Sequence, residues 1–309
     1  MTATVPTIDT PANIYRGTSN IALPADVSQE IWGAVLEESA FMRLARQIAL
    51  PGTGTTIQTI TSEPAADWVS ETAAKPVSAH TFNKKVLTPY KLAVIEPFSM
   101  EFIRDKAALY EECVRRLPAA IAAKFDSTIM GTTAPGTGFD VLGAATAVSL
   151  NPGSGDTVYD QFVTVDGNIA AAGGIMNGII LAPQGKSKLL GAVDGDKRPL
   201  FTAGVESGTL SPILGAETLI NKHVYKAGAA GSPGTPAVLG IAGDFSDAVY
   251  GIVEGIKIDI SRDATLVTTG GVISLFQQNM VAVRVECEVA FGVKSASEFN
   301  ILTGDVPSA

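Results

Sequence analysis

Residues 68–105 read WVSETAAKPVSAHTFNKKVLTPYKLAVIEPFSMEFIRD, and this stretch constrains the fold more than any other. Its first part, from Ser70 to His80, is polar and rich in Ala and Pro. Its second part is extended and apolar, with Pro89 and Pro97 inside it. Proline cannot donate to a β-ladder, so this segment belongs at a sheet edge or in a projecting hairpin arm. A matching strand stands upstream, GTGTTIQTIT from Gly52 to Thr61. Two strands with a long polar tip between them bury little against their own domain, and an isolated hairpin is marginal in water. Such an arm is expected to lie on a neighbouring molecule.

The tip itself carries Glu63, Asp67 and Glu71 on one limb and Lys75, Lys84 and Lys85 on the other, around Trp68. A tryptophan on a polar tip is costly to leave in water and serves well as an interface anchor. Its expected seat is a long helix of a neighbouring copy, near Arg115 and Arg116. That helix is marked by Leu109, Cys113, Leu117, Ile121, Phe125 and Ile129, which recur every four residues as one apolar stripe. Ser99 is placed to start a short lead-in, and Gly131 to cap the end. Pro118 inside the stripe removes one helical hydrogen bond and crowds the carbonyl of Val114, so a bend is expected there. Glu111 and Glu112 stand four residues before Arg115 and Arg116, the spacing of ion pairs on a solvated face. The sharper alternative has the arginines meeting Glu63, Asp67 and Glu71 of the next copy.

Before the hairpin, Met1 to Leu23 has no periodicity and reads as an arm. Asp26 and Gln29 form a capping-box-like pair, opening a helix through Val27, Ile31 and Val35, then Met42 and Ala45. This helix is expected to break near Ser39 and stop before Pro51. From Phe139 onward Gly and Ala become common. Helices are expected over Tyr159–Ala172 and Gln184–Val193. Strands are expected over Gly178–Ala182, Val238–Ala242, Ala248–Val253 and Lys257–Ile260. A final long strand over Val281–Val289 sets Val283, Val285, Cys287 and Val289 against Arg284, Glu286 and Glu288. Helices and strands mixed in this way indicate an α+β or α/β architecture.

Chemistry is scarce. The chain has 309 residues and only two histidines, His80 and His223, with no G-x-S-x-G elbow to make a triad. Two cysteines without C-x-x-C spacing give neither a disulfide framework nor a zinc site, and a reducing compartment of origin is the simplest reading. Gly185-Lys186-Ser187 opens a helix, but position 180, where a phosphate loop needs glycine, is Ile180. Asp194 and Asp196 lie in a turn-like DGD. No catalytic, cofactor-binding or metal-binding residue is therefore expected. Net charge is −9, from 31 acidic and 22 basic residues, which argues against a dedicated nucleic-acid binder. Hydrophobic residues make up 46% and mean hydropathy is +0.26, yet no apolar run reaches the length of a membrane helix. The N-terminal residues have neither a basic leader nor an apolar core and do not read as a secretory signal. Such a chain is expected to hide apolar surface in subunit contacts.

Trp68-x-x-Glu71, then Tyr90-Lys91-Leu92-Ala93, then Ser99 before Glu101 resemble the extended loop and its return in the tailed-phage major capsid proteins of the Hong Kong 97-like fold. The resemblance continues through Phe125-Asp126-Ser127-Thr128-Ile129-Met130-Gly131, Pro135-Gly136, Gly243-Asp244-Phe245-Ser246 and the strand from Met280 to Val293, closing on Ala296 to Leu302. These motifs stand in the family's order and cover nearly all of the chain.

The resemblance implies an α+β fold in named parts. An N-terminal arm and helix would span 1–51 and the extended β-hairpin loop 52–93. A peripheral domain, with a spine helix and the long strand, would take 94–138 and 279–303. An axial domain would take 139–278. It implies a non-enzymatic shell subunit, assembling with itself as hexamers and pentamers into an icosahedral capsid around double-stranded DNA, without sequence-specific contact. Expected partners are a separate scaffolding protein, a portal and decoration proteins, with no membrane. The place of assembly would be the bacterial cytoplasm, and the final location the virion. Some relatives join a loop lysine to a neighbour's asparagine, helped by a glutamate. Neither partner is matched here, so no crosslink is expected. A scaffold domain fused ahead of the arm is not expected, nor is proteolytic maturation of the chain. The rivals are an encapsulin-type compartment, which needs a cargo-peptide groove, and a Gly-rich α/β enzyme, which needs a paired-carboxylate cleft.

Overall fold

A computed structural model of the chain describes residues 39–62, 64–71, 74–75, 77–151, 153, 156–193, 196–201, 212–228, 235–253, 255–268 and 271–305. The expected arm and the helix from Asp26 lie outside the described residues. The first half contains α1 (Ala40–Leu44), β1 (Arg46–Ala49), β2 (Thr55–Ser62), β3 (Thr81–Leu87), β4 (Tyr90–Ser99), α2 (Met100–Asp105), α3 (Ala107–Ile129) and β5 (Thr146–Ser149). The second contains α4 (Val158–Ala171), β6 (Gly178–Leu181), α5 (Pro183–Leu190), β7 (Glu217–Ile220), β8 (Ala237–Gly243), β9 (Ala248–Ile252) and β10 (Lys257–Ser261). It closes with β11 (Thr265–Thr268), β12 (Gly271–Ser274), β13 (Met280–Val293) and β14 (Phe299–Gly304).

The valine-rich β13 is the axis of the first sheet. Val289 pairs with Tyr90 of β4 on one side and Ile252 of β9 on the other. β4 therefore lies along one edge, while β9 and β10 follow end to end along the other. β1 adds to β9 in parallel. The alternation is as read: Val283, Val285, Cys287 and Val289 are buried, and Arg284 is exposed. β4 pairs with no other named strand, so Pro97 sits at an edge where its missing N–H costs no ladder bond.

The buried face of this sheet carries α3. Tyr110, Val114, Leu117, Ile121, Phe125 and Ile129 are buried, and Cys113 is partly buried. Ser99 caps α2 by accepting the Phe102 N–H at 3.1 Å. The helix runs unbroken through the buried Pro118. Its end differs from expectation. Met130 is the cap, in right-handed conformation, and Gly131 follows it, donating its N–H to Thr128 at 3.0 Å.

A second sheet, in the order β5-β14-β8-β6-β7, carries α4 and α5. Every residue of β6 is buried. α4 opens with a reciprocal cap: Thr157 accepts from the Asp160 N–H, and the Asp160 side chain accepts from the Thr157 N–H at 2.7 Å. α5 is shorter than expected. It stops at Leu190, and Val193 instead bridges to Pro199. Gly185 packs where a Cβ would fall 2.7 Å from the Leu239 carbonyl, so this glycine serves helix–sheet contact and not a phosphate.

Near the N-terminus the helical reading fails after Leu44. Ser39 is the cap, accepting from Met42 N–H at 3.2 Å, and among the described residues here only Ala40–Leu44 are helical. Arg46–Ala49 is a strand, because the open edge of β9 offers backbone partners that override local propensity. The two sheets share one core: Phe41, Phe125, Phe139 and Phe291 meet edge-on or tilted at 5.9–6.3 Å, with Phe245 against Phe299 at 5.3 Å. Each such pair adds about 0.5–1.5 kcal/mol beyond burial.

Candidate assembly surface

The extended hairpin follows from β2 and β3. Their register runs from Thr55↔Leu87 at the root to Ser62↔Thr81 at the tip end. Gly54 fixes the root. Its φ is +79°, and a Cβ there would fall 2.3 Å from the Leu87 carbonyl, so only glycine fits. Beyond Ser62 the tip leaves regular structure. Trp68 is fully exposed, as is Val77, and Phe82 and Val86 on β3 are more than half exposed. A ring this open has nothing to pack on among the described residues.

The charged residues singled out in the sequence are scattered. Asp67, Glu71, Lys75 and Lys84 are exposed, and Glu63 lies outside the described residues. Lys85 is held inside its own chain. Its ammonium meets Asp140 at 2.5 Å and donates to the Val293 carbonyl, and Asp140 also accepts the Val293 N–H at 2.8 Å. That ties the hairpin root to the end of β13. Arg115 and Arg116 are exposed on α3, and each is already engaged within the chain. The side chains of Glu111 and Glu112 lie outside the description.

A second projecting hairpin escaped the sequence reading. β11 and β12 pair only with each other, and Val267, Val272 and the following Phe276 are exposed. The signal was present: TLVT and GVIS stand on either side of Thr269-Gly270, and Gly270-Gly271 is a turn pair.

Two buried acids belong to the frame behind these arms. Asp126, near the end of α3, is fully buried. It accepts from Ser39 Oγ at 2.6 Å, Ala40 N–H at 3.1 Å and Asn221 Nδ2 at 2.7 Å. Burial pushes its carboxyl up to about 7 against the opposing pull of these donors. One side chain thus joins the root of the N-terminal segment, the long helix and the second sheet. Glu298 is also buried and its carboxyl is raised, first by burial and then by Asp247 nearby. It lies where the chain crosses between sheets: Asp244 N–H donates to the Glu298 carbonyl at 3.1 Å, and Lys294 N–H to that of Asp247 at 3.1 Å.

Among the described residues no group of three or more His, Cys, Asp or Glu is placed to hold a metal ion. His80 lies beside Phe82 on the exposed loop, and the His223 N–H is capped by Asn221 at 2.8 Å. Asp196 pairs with Arg198 at 3.5 Å on the surface. No described helix is long and apolar enough to cross a membrane.

Comparison with known proteins gives this architecture a family. The model of the phage capsid family matches residues 20–304. The probable major capsid protein gp17 of Mycobacterium phage D29 is 30% identical over 299 residues, covering 92% of this chain and 90% of that protein. The major capsid protein of Staphylococcus phage 80alpha is 26% identical, covering 86% and 79%. Among solved structures, a chain of Mycobacterium phage Cain aligns with TM-score 0.69 at 21% identity, covering 88% and 92%. A chain from the capsid of a native GTA particle aligns with TM-score 0.60 at 14% identity, covering 96% of each. With the Hong Kong 97-like frame of hairpin, long helix and two sheets in place, and the family match spanning nearly the whole chain, the chain belongs to the phage capsid family.

Proposed function

We propose that this major capsid protein assembles as hexamers and pentamers into the icosahedral shell of a tailed phage, through contacts that are mechanical and involve no catalysis. The observation that carries the reading is the projecting hairpin, whose fully exposed Trp68 has no partner among the described residues. Heterologous contacts between identical chains close into rings, and many modest contacts allow rings of five and six from one subunit. The axial domain, 139–278, would face the ring axis. The peripheral domain, 94–138 with 279–303, would contact neighbouring rings, and the exposed β11–β12 hairpin would add to that surface. Asp67, Trp68, Glu71, Lys75 and Lys84, with Glu63, would clasp the neighbour.

The net charge of −9 suits a container wall that leaves double-stranded DNA free of sequence-specific contact. Assembly would take place in the host cytoplasm, with scaffolding, portal and decoration proteins as partners. Light scattering and negative-stain microscopy of the purified chain, across salt and with a candidate scaffold, test the reading. Rings or shells at micromolar concentration are expected. A monodisperse monomer under every condition would count against self-assembly by this chain.

A further inference from the structure

At the root of the hairpin, between the start of β4, the C-terminal half of α3 and the loop to Phe139, lies a cavity of about 260 Å³. Its apolar wall is formed by Leu92, Phe125, Phe139 and Val289, and Lys91 and Lys124 stand at its rim. Small-molecule sites run from about 300 to 1,000 Å³, so this one is the size of a single large side chain and not of a nucleotide. Trp68 is the largest of the exposed apolar side chains among the described residues. Trp68 is fully exposed at the far end of the same hairpin, with exposed Asp67 and Glu71 beside it.

We propose that the cavity between β4 and α3 is the seat of Trp68 from an adjacent copy of this chain, with Asp67 and Glu71 of that copy on Lys124 and Lys91. Three observations select this occupant. The cavity is apolar inside and cationic at its rim, and the tip is aromatic and acidic. Lys91 is already shared by Glu288 at 3.3 Å and Glu286 at 3.8 Å, but Lys124 has no ion-pair partner among the described residues. Arg115 and Arg116, by contrast, are already engaged and lie about 12 Å further up the helix at 1.5 Å per residue. The third observation is distance. From Thr81 to Leu87 the strand holds the tip about 20 Å from its own root at ~3.3 Å per residue, and the chain's own Trp68 is not seated. A tip that fits a root on an identical chain makes a head-to-tail contact, the kind that closes rings. This moves the anchor from the expected position at Arg115 and Arg116 to the other half of α3.

Because this seat presupposes the ring of copies proposed above, shells lacking the contact and absence of shells are separate outcomes. The test places p-benzoylphenylalanine at position 68 of the full chain, irradiates assembled particles and maps adducts by mass spectrometry. Dimer-sized adducts at Leu92, Lys124, Phe125 or Phe139 are expected. Adducts within one chain, adducts at 112–119, or shells with no adduct would each overturn the seat while leaving the capsid reading intact. A second set needs no unnatural residue. Lys124→Glu should raise the concentration needed for assembly about tenfold, and Trp68→Ala about thirtyfold or more, as for a buried aromatic anchor. Both should keep the circular dichroism of the parent. Adding Asp67→Lys to Lys124→Glu should recover most of the loss. Assembly of Lys124→Glu at the parental concentration, or no recovery in the double variant, would overturn the proposal.

Discussion

Asp126 shows how much a single side chain can set in this subunit. Its carboxyl is raised from 3.8 to about 7, because burial outweighs the donors Ser39, Ala40, Phe41 and Asn221. The sign follows. Below about pH 4 the group is protonated folded or unfolded, and its contribution is fully present. Between about 4 and 7 the folded chain alone holds the proton, so stability falls as pH rises. Three units correspond to roughly 4 kcal/mol as an upper bound. Glu298, also raised, adds the same sign. Asp244 opposes it: burial pushes its carboxyl up, but donors from Ile175, Ser246 and Asn177 outweigh that and hold it low. Asp126→Asn isolates the main contribution. The melting temperature of unassembled chain should fall between pH 5 and pH 8 in the parent, and the fall should be much smaller in the variant. Equal slopes would show that Asp126 does not titrate in this window. None of this was legible in Phe125-Asp126-Ser127, because the partners lie 87 and 95 residues away. Lys85 teaches the same lesson. In sequence it is one of three loop lysines, but in the fold it is tied to Asp140 and the Val293 carbonyl. A lysine so held is a poor crosslinking group. Boiled, reduced shells should therefore run as one band near 31.9 kDa, and a ladder of multiples would refute this.

At the scale of elements, what could be read was what carries period or punctuation. The stripe from Leu117 to Ile129 and the alternation in β13 each repeat long enough to specify a buried face. Pro97 put β4 at an edge. What failed was short. Arg46–Ala49 is a strand only because β9 lies beside it, and β11–β12 is a pair of four-residue strands. Pro118 is the sharpest case of a local rule meeting a tertiary one. A proline inside a helix costs about 3 kcal/mol, yet α3 passes through it with the ring buried. The ring's packing on the core offsets part of that cost. Pro118→Ala should restore the bond to the Val114 carbonyl and leave a small void. We expect the amides of 115–122 to exchange more slowly with solvent in the variant, and the size distribution of shells to shift if the proline sets a bend. Unchanged or faster exchange would mean that the packing of Pro118 outweighs the bond it removes.

The whole molecule separates a frame from its arms. The frame is the two sheets, their shared phenylalanine core and the crossing at Asp244–Asp247 and Lys294–Glu298, and it is complete within one chain. The β2–β3 hairpin is not. It is pinned to the frame at its root by Gly54, Lys85 and Asp140, and its tip ends in open solvent with Trp68. The sequence made that asymmetry visible early, since a polar tip with one large aromatic between two strands has no internal explanation. It did not reveal the receiving cavity, whose walls come from segments as distant as Leu92, Phe125 and Val289. Ser62 and Thr81 pair directly across the hairpin, so residues 63–80 can be deleted and replaced by Asn-Gly, a two-residue turn suited to closing such strands. Among the described residues the tip's hydrogen bond stays within the tip, from Ala65 N–H to Ser78, so circular dichroism should match the parent and the melting temperature of unassembled chain should stay within a few degrees. Shell formation should be lost, because each copy then has a seat and no anchor to fill the next. A deletion that no longer folds would show that the tip belongs to the frame. Intact shells from a folded deletion would show that the hairpin does not clasp neighbours, and would leave ring closure to the axial domain and the β11–β12 hairpin.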